Sequence, residues 1–205
     1  AWLQYNYRTQ PRSASAVVRV TLHKNDRHMT FAYADPPYIG QAEKHYSDDP
    51  RCAEVNHRVL IGTLHDRYDA WALSMSATMY SLKRIVPLAP DDARMAAWTK
   101  PFCSFKKGVD PAYTWEPVIF YSPRKSTSED TSKDHVAESI TMGRGLAGVK
   151  PERFCFWLFE LVGLEAEDKL VDLFPGTGAV TSAHDRWQEA QLSQGVQVDL
   201  ELSAV

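Results

Sequence analysis

The stretch Lys169-Leu170-Val171-Asp172-Leu173-Phe174-Pro175-Gly176-Thr177-Gly178-Ala179-Val180 constrains the fold of this chain more than any other. Leu170 to Phe174 is a short apolar run and predicts a buried strand. Gly176 and Gly178 permit positive φ and let backbone come close to a ligand. A helix predicted from Ala179 to about Ala190 aims its free N–H groups at whatever sits on that turn. Strand, glycine turn and helix in succession form the unit on which α/β proteins hold nucleotide-type ligands. The third glycine of the dinucleotide fingerprint is missing, and no Gly-Lys-Ser/Thr follows to make a phosphate loop. The plainer alternative is a tight βα turn of any α/β protein.

A second segment carries chemistry. Asp35-Pro36-Pro37-Tyr38 follows the apolar run Phe31-Ala32-Tyr33-Ala34. Each proline fixes its own φ, and a proline restricts the residue before it, so Asp35 and Pro36 are both held. A loop of this kind presents one carboxylate, one backbone carbonyl and one ring in fixed relation. Those groups suit gripping a planar base by its exocyclic amine and stacking on its face. Asp-Pro-Pro also occurs in ordinary turns, so the segment gains its weight from its pairing with the glycine turn.

Together the two segments resemble the S-adenosylmethionine-dependent amino-methyltransferases that modify adenine-N6 or cytosine-N4 in nucleic acid. The family's catalytic motif, Asp/Asn/Ser-Pro-Pro-aromatic, is matched by Asp35, Pro36, Pro37 and Tyr38. Its cofactor motif is matched by Asp172, Phe174, Gly176 and Gly178. Lys150-Pro151, ahead of a predicted helix from Glu152 to Leu164, resembles the family's Lys-Pro helix that helps close the cofactor pocket. With the catalytic motif before the glycine motif, the order resembles the permuted arrangement of part of the family. The resemblance implies a Rossmann-like α/β fold, a mostly parallel twisted sheet with helices on both faces. It also implies S-adenosyl-L-methionine as cofactor, DNA or RNA as partner, and a site-specific DNA-methyltransferase activity. Asp in the first motif position leans toward adenine-N6. Cytosine-N4, RNA, a small amine, or a non-catalytic methyltransferase-like nucleic-acid-binding subunit are the alternatives.

Composition restricts the setting. At 205 residues, 44% hydrophobic and 24% charged, the chain suits one globular domain with a sizeable core. No apolar run reaches the ~18 residues that span a bilayer. Cys52, Cys103 and Cys155 fit neither a disulfide framework nor a zinc spacing, which favours a reducing, cytoplasmic setting. The seven histidines show no paired spacing for a metal. The net charge of −3 gives no global attraction to nucleic acid, so phosphate contacts require a local basic patch. Lys100 to Trp115 supplies the candidate, with Lys100, Phe105, Lys106, Lys107 and Trp115 interleaving cations and rings as a base-and-backbone groove does. A surface loop with a few anchoring rings is the alternative.

Along the chain, residues 1–28 read as a basic extension, flexible or non-native, with Val17 to Leu22 as an edge-strand candidate. Residues 29–190 form the predicted methyltransferase domain: a catalytic half 29–122, a polar linker 123–149 and a cofactor half 150–190. Within the catalytic half, a helix is predicted from Glu54 to Tyr68 and a strand from Ala70 to Met75. Ser76 is expected to cap a helix from Ala77 to Leu82, and Pro90-Asp91-Asp92 a second one; Ala96–Thr99 and Pro117–Tyr121 read as strands. Residues 191–205 read as a tail or edge strand, because Val196 to Glu201 alternates. Asp199 and Glu201 there are the candidates for the family's ribose-binding acid. The family's permuted members carry a target-recognition domain where 123–149 lies. This polar stretch is too short to bury a core of its own, so a specificity-providing or dimer partner is expected. A self-contained methyltransferase without a recognition domain would suit a phage or mobile element.

Overall fold

The computed structural model describes residues 28–40, 55–103, 107–124, 131–140 and 149–202, with side chains as far as residue 193. Val17 to Leu22, Phe105 and Lys106 fall outside that set.

Among the described residues six strands form one sheet: β1 (Thr30–Ala34), β2 (Ala70–Ser74), β3 (Arg94–Thr99), β4 (Trp115–Tyr121), β5 (His135–Ala137) and β6 (Lys169–Asp172), in the order β5-β3-β4-β2-β1-β6. β1 runs parallel to β2 and β6, and β3 parallel to β5, while β4 is antiparallel to both β2 and β3. Five strands therefore point one way and β4 alone points back. Parallel neighbours need long crossovers. α1 (His57–Arg67) supplies one between β1 and β2, and α3 (Glu152–Val162) precedes β6. α2 (Met79–Ile85) and a 3-10 turn (Val86–Leu88) lead toward β3, and α4 (Ala179–Leu202) follows the glycine turn.

Side-chain alternation divides the sheet between two cores. Phe31, Tyr33, Ala72, Trp98 and Val118 face α3 and α4, whose Phe154, Phe159, Val162 and Val180 complete that layer. Ala32, Ala34, Trp71, Leu73 and Ile119 face α1 and α2, meeting Ile61, Leu64 and Ile85. β1 and β2 are buried on both faces, which is why they read as unbroken apolar runs. α3 stops at Gly163, which takes φ 64° so that its N–H reaches Glu160 O and the Leu164 N–H reaches Phe159 O.

Four expectations are corrected. Thr78, not Ser76, caps α2; its hydroxyl accepts from the Ser81 N–H, and Ser76 Oγ accepts from the Thr78 N–H instead. Pro90-Asp91-Asp92 caps no helix, because the Ala93 N–H closes a turn on Pro90 O and the chain enters β3 directly. The polar stretch 123–149 contains β5, anchored by buried Val136 and by the Trp157 Nε1–H donating to Lys133 O at 2.9 Å. Val196 to Glu201 lies within α4 rather than in a strand, so the alternation there does not report pairing.

Candidate active site

The parallel pairing of β1 with β6 places the two sequence motifs side by side. Tyr33 is in register with Asp172, and the Leu173 N–H donates to Tyr33 O at 2.9 Å. Asp35 and the glycine turn thus leave adjacent strands at the same carboxyl edge, where open α/β sheets bind ligands. In the turn, Asp172 Oδ1 accepts from the Phe174 N–H at 3.2 Å, and the Gly178 N–H donates to Pro175 O at 2.6 Å. Gly176 and Gly178 take φ of 49° and 75°. A Cβ built on Gly178 would meet nothing within 4 Å, so the space above the turn is open. The Asp172 carboxyl is pushed up from its ordinary range, first by burial and further by the charge of Asp35.

The proline loop closes over a buried charge cluster. Lys150 Nζ lies 3.1 Å from Asp35 Oδ2 and 3.1 Å from Glu116 Oε2. Lys100 pairs with the other Glu116 oxygen. Trp98 lies beneath both ammoniums, 5.1 Å from that of Lys150 and 4.6 Å from that of Lys100, and Phe154 flanks Lys150 at 5.6 Å. Below the loop, the Tyr33 hydroxyl and Ser74 Oγ are hydrogen bonded at 2.8 Å across β1 and β2. Burial pushes the Asp35 carboxyl up, and Glu116 adds to this while Lys150 opposes it. Glu116 is also penalised by burial, but the Lys150 and Lys100 ammoniums overcome that and hold it below the usual carboxylate range. Tyr33 and Tyr38 are pushed well above the ordinary phenol range, mainly by burial, and remain neutral.

Asp35, Pro36, Pro37 and Tyr38 are together here, and Asp172, Phe174, Gly176 and Gly178 lie on the neighbouring strand and turn. Lys150, at the foot of the Lys-Pro helix, is buried beside the Asp35 loop. Its ion pairs are with Asp35 and Glu116, and Trp98 and Phe154 hold it from the sides. Lys100 likewise is drawn inward to Glu116. Lys107 and Trp115 are exposed. Trp115 lines a cavity of about 410 Å³ with Ala77, Val109, Asp110 and Tyr113. The Met75 N–H donates to Pro117 O, so the start of β4 adjoins the end of β2 and this cavity opens on the same edge of the sheet as Asp35. Sequence reasoning missed Trp98, Tyr33 and Ser74 as parts of the site and gave Glu116 no role of its own. Its one usable signal was an acid, Glu116, at the mouth of an otherwise apolar strand.

Among the described residues no group of His, Cys, Asp and Glu is placed to hold a metal, and no helix is long and apolar enough to cross a membrane. No protein-family model matches the chain, and no curated protein does. Solved structures do. The crystal structure of the M1.HpyAVI–SAM complex superposes with a TM-score of 0.53 over 80% of each chain, at 10% identity. That of M1.HpyAVI alone gives 0.50 at 11% identity, over 80% of this chain and 79% of the other. The likeness is one of fold. The sheet and its flanking helices form a Rossmann-like methyltransferase fold, in which Asp35 and the glycine turn occupy adjacent strand ends.

Proposed function

We propose that this protein is an S-adenosylmethionine-dependent methyltransferase acting on the exocyclic amine of a nucleic-acid base, with adenine-N6 in DNA as the substrate. The observation that carries the reading is the juxtaposition of the Asp35 loop and the glycine turn at the ends of two paired parallel strands. The fold neighbour crystallised with SAM supports the cofactor.

The turn fits such a ligand. Open space lies over Gly178, the N-terminus of α4 follows, and the Asp172 carboxyl sits at its edge to take the methionine amine. Asp172, Phe174, Gly176 and Gly178 would hold the cofactor, which when bound supplies an electrophilic methyl group. The remaining work belongs to the loop. A base amine is a poor nucleophile because its lone pair is delocalised into the ring. Asp35 accepts one N–H of that amine and the Pro36 carbonyl accepts another, which favours a more tetrahedral nitrogen. The carboxylate also faces the positive charge that develops on nitrogen, so it stabilises the transition state more than the ground state. Tyr38 stacks on the base, which has left a duplex or arrived single-stranded. The amine proton leaves after transfer, so Asp35 need not be a strong base.

Transfer of labelled methyl to DNA, RNA and free nucleosides tests this with wild type and Asp35→Ala. The expected result is label on adenine-N6 of DNA, with the rate of the variant down by about 100-fold or more, the usual cost of one transition-state acceptor. Label on cytosine, RNA or nucleosides alone would move the substrate. Cofactor binding with no labelled product would overturn the enzyme reading.

A further inference from the structure

Lys150 is a buried cation with an unusual set of neighbours. Its side chain is only 6% exposed and bridges carboxylates from two elements, Asp35 after β1 and Glu116 at the start of β4. Two aromatic faces, Trp98 and Phe154, confine it, and Lys100 fixes Glu116 from the other side. Moving this ammonium to a cofactor carboxylate would break two ion pairs and leave both acids buried without it.

We propose that Lys150 is a positioning residue for Asp35, a fixed counter-ion clamped by Glu116 that keeps the loop's carboxyl ionised and held in place at the strand end. This rests on the role given to Asp35 above. Among the described residues, the other ionisable groups around Asp35 do not supply that charge. Tyr33 from β1 and Tyr38 from the loop are neutral, and Asp172 from β6 is an acid. Cys155 on α3, pushed up to about 12 by burial, is a neutral thiol beside Lys150. Lys100 at the end of β3 favours the ionised form of Asp35 more weakly than Lys150 does. Burial and the charge of Glu116 both drive Asp35 toward protonation, and Lys150 is the principal opposing influence. A protonated Asp35 presents a neutral O–H toward the amine and no longer offsets the charge growing on nitrogen.

The experiment combines the pH–rate profile of methyl transfer with a carbon-13 carboxyl titration of Asp35 in the free protein. It uses wild type, Lys150→Met, Lys150→Gln and Lys150→Arg. In the Met and Gln variants the acid limb and the Asp35 titration should both move up by about 1–3 pH units, the usual effect of losing an adjacent opposite charge. Activity should recover at alkaline pH, cofactor KM should change little, and Lys150→Arg should abolish most of the shift. Lys150→Gln serves should the Met variant fail to fold by circular dichroism. A rate lowered equally at every pH, or a cofactor KM raised with the limb unmoved, would overturn the proposal. Absence of methyl transfer in wild type would instead defeat the functional reading. The carboxyl titration would then still decide whether Lys150 governs Asp35, and an unshifted titration would show that it does not.

Discussion

At the residue scale the glycine turn invites the sharpest test. Gly176 and Gly178 sit in left-handed backbone, which costs an L-residue about 1–2 kcal/mol and a β-branched one more. A Cβ on Gly176 would still have room, since its nearest neighbour is Phe174 O at 3.9 Å. The penalty of Gly176→Val is therefore conformational and not a clash, and it falls on the shape of the turn. We expect the variant to unfold at a modestly lower temperature while its affinity for S-adenosylmethionine drops about tenfold or more in calorimetric titration. Gly176→Asn, which tolerates left-handed backbone, should keep most of that affinity. Equal affinities in wild type and the valine variant would mean that the turn does not hold the cofactor. The residues of both motifs were readable because each depends on its own few neighbours: a glycine for positive φ, a proline for a fixed one. Glu116 and Trp98 were not, because nothing local distinguishes them. They matter only because the β3–β4 pairing delivers them to Lys150, whose own motif lies far along the chain.

At the element scale, the strands and helices with strong local signals were legible, and the failures share one cause. Pro90-Asp91-Asp92 has the residues of a helix cap, yet Arg94–Thr99 finds a full ladder with β4, and the ladder outweighs local preference. β5 was hidden because three residues with a single buried side chain leave no periodic trace. The contact of α4 with α3 carries a pH-dependence. His184 is buried against Phe159, at 5.8 Å between ring centroids, and among the described residues its Nε2 has no hydrogen-bond partner. Burial lowers its pKa below the ordinary 6.5. The unfolded chain therefore binds a proton near pH 6.5 that the native state refuses, so this contribution to stability is complete above that pH. It is lost as pH falls from 6.5 toward the native pKa, by at most ~1.4 kcal/mol per pH unit. Denaturation at about pH 7.5 and about pH 5.5 should show wild type losing more stability than His184→Leu over that interval. The comparison cancels the other histidines. Identical losses in the two proteins would remove His184 as the cause.

At the scale of the whole molecule, charge and shape divide the work of reaching a substrate. The fold class was legible because the two motifs together carry the family resemblance, which neither does alone. Which cations face outward did not follow, since that depends on pairing across the sheet. Lys100 is spent on Glu116, and the net charge is −3, so attraction to phosphates must be local and modest. What the carboxyl edge does offer is aromatic surface. Trp115 and Tyr113 are 39% and 56% exposed around a cavity of about 410 Å³, on the edge that carries Asp35. Under the proposed function this predicts that single-stranded DNA is held by stacking more than by charge. Trp115→Ala should weaken binding about tenfold, within the ~1–3 kcal/mol of one base–aromatic stack. Fluorescence anisotropy across a salt series separates the contributions. Lys107→Ala should reduce the slope of log K against log salt by about 0.7, the share of one phosphate contact on a single strand. Lys100→Ala should leave the slope unchanged and lower methyl transfer instead, because its partner Glu116 clamps Lys150. A Lys100 variant that loses salt dependence but keeps full turnover would place that side chain in the groove and out of the charge cluster. Unaltered binding by Trp115→Ala would move the nucleic acid to another face of the protein.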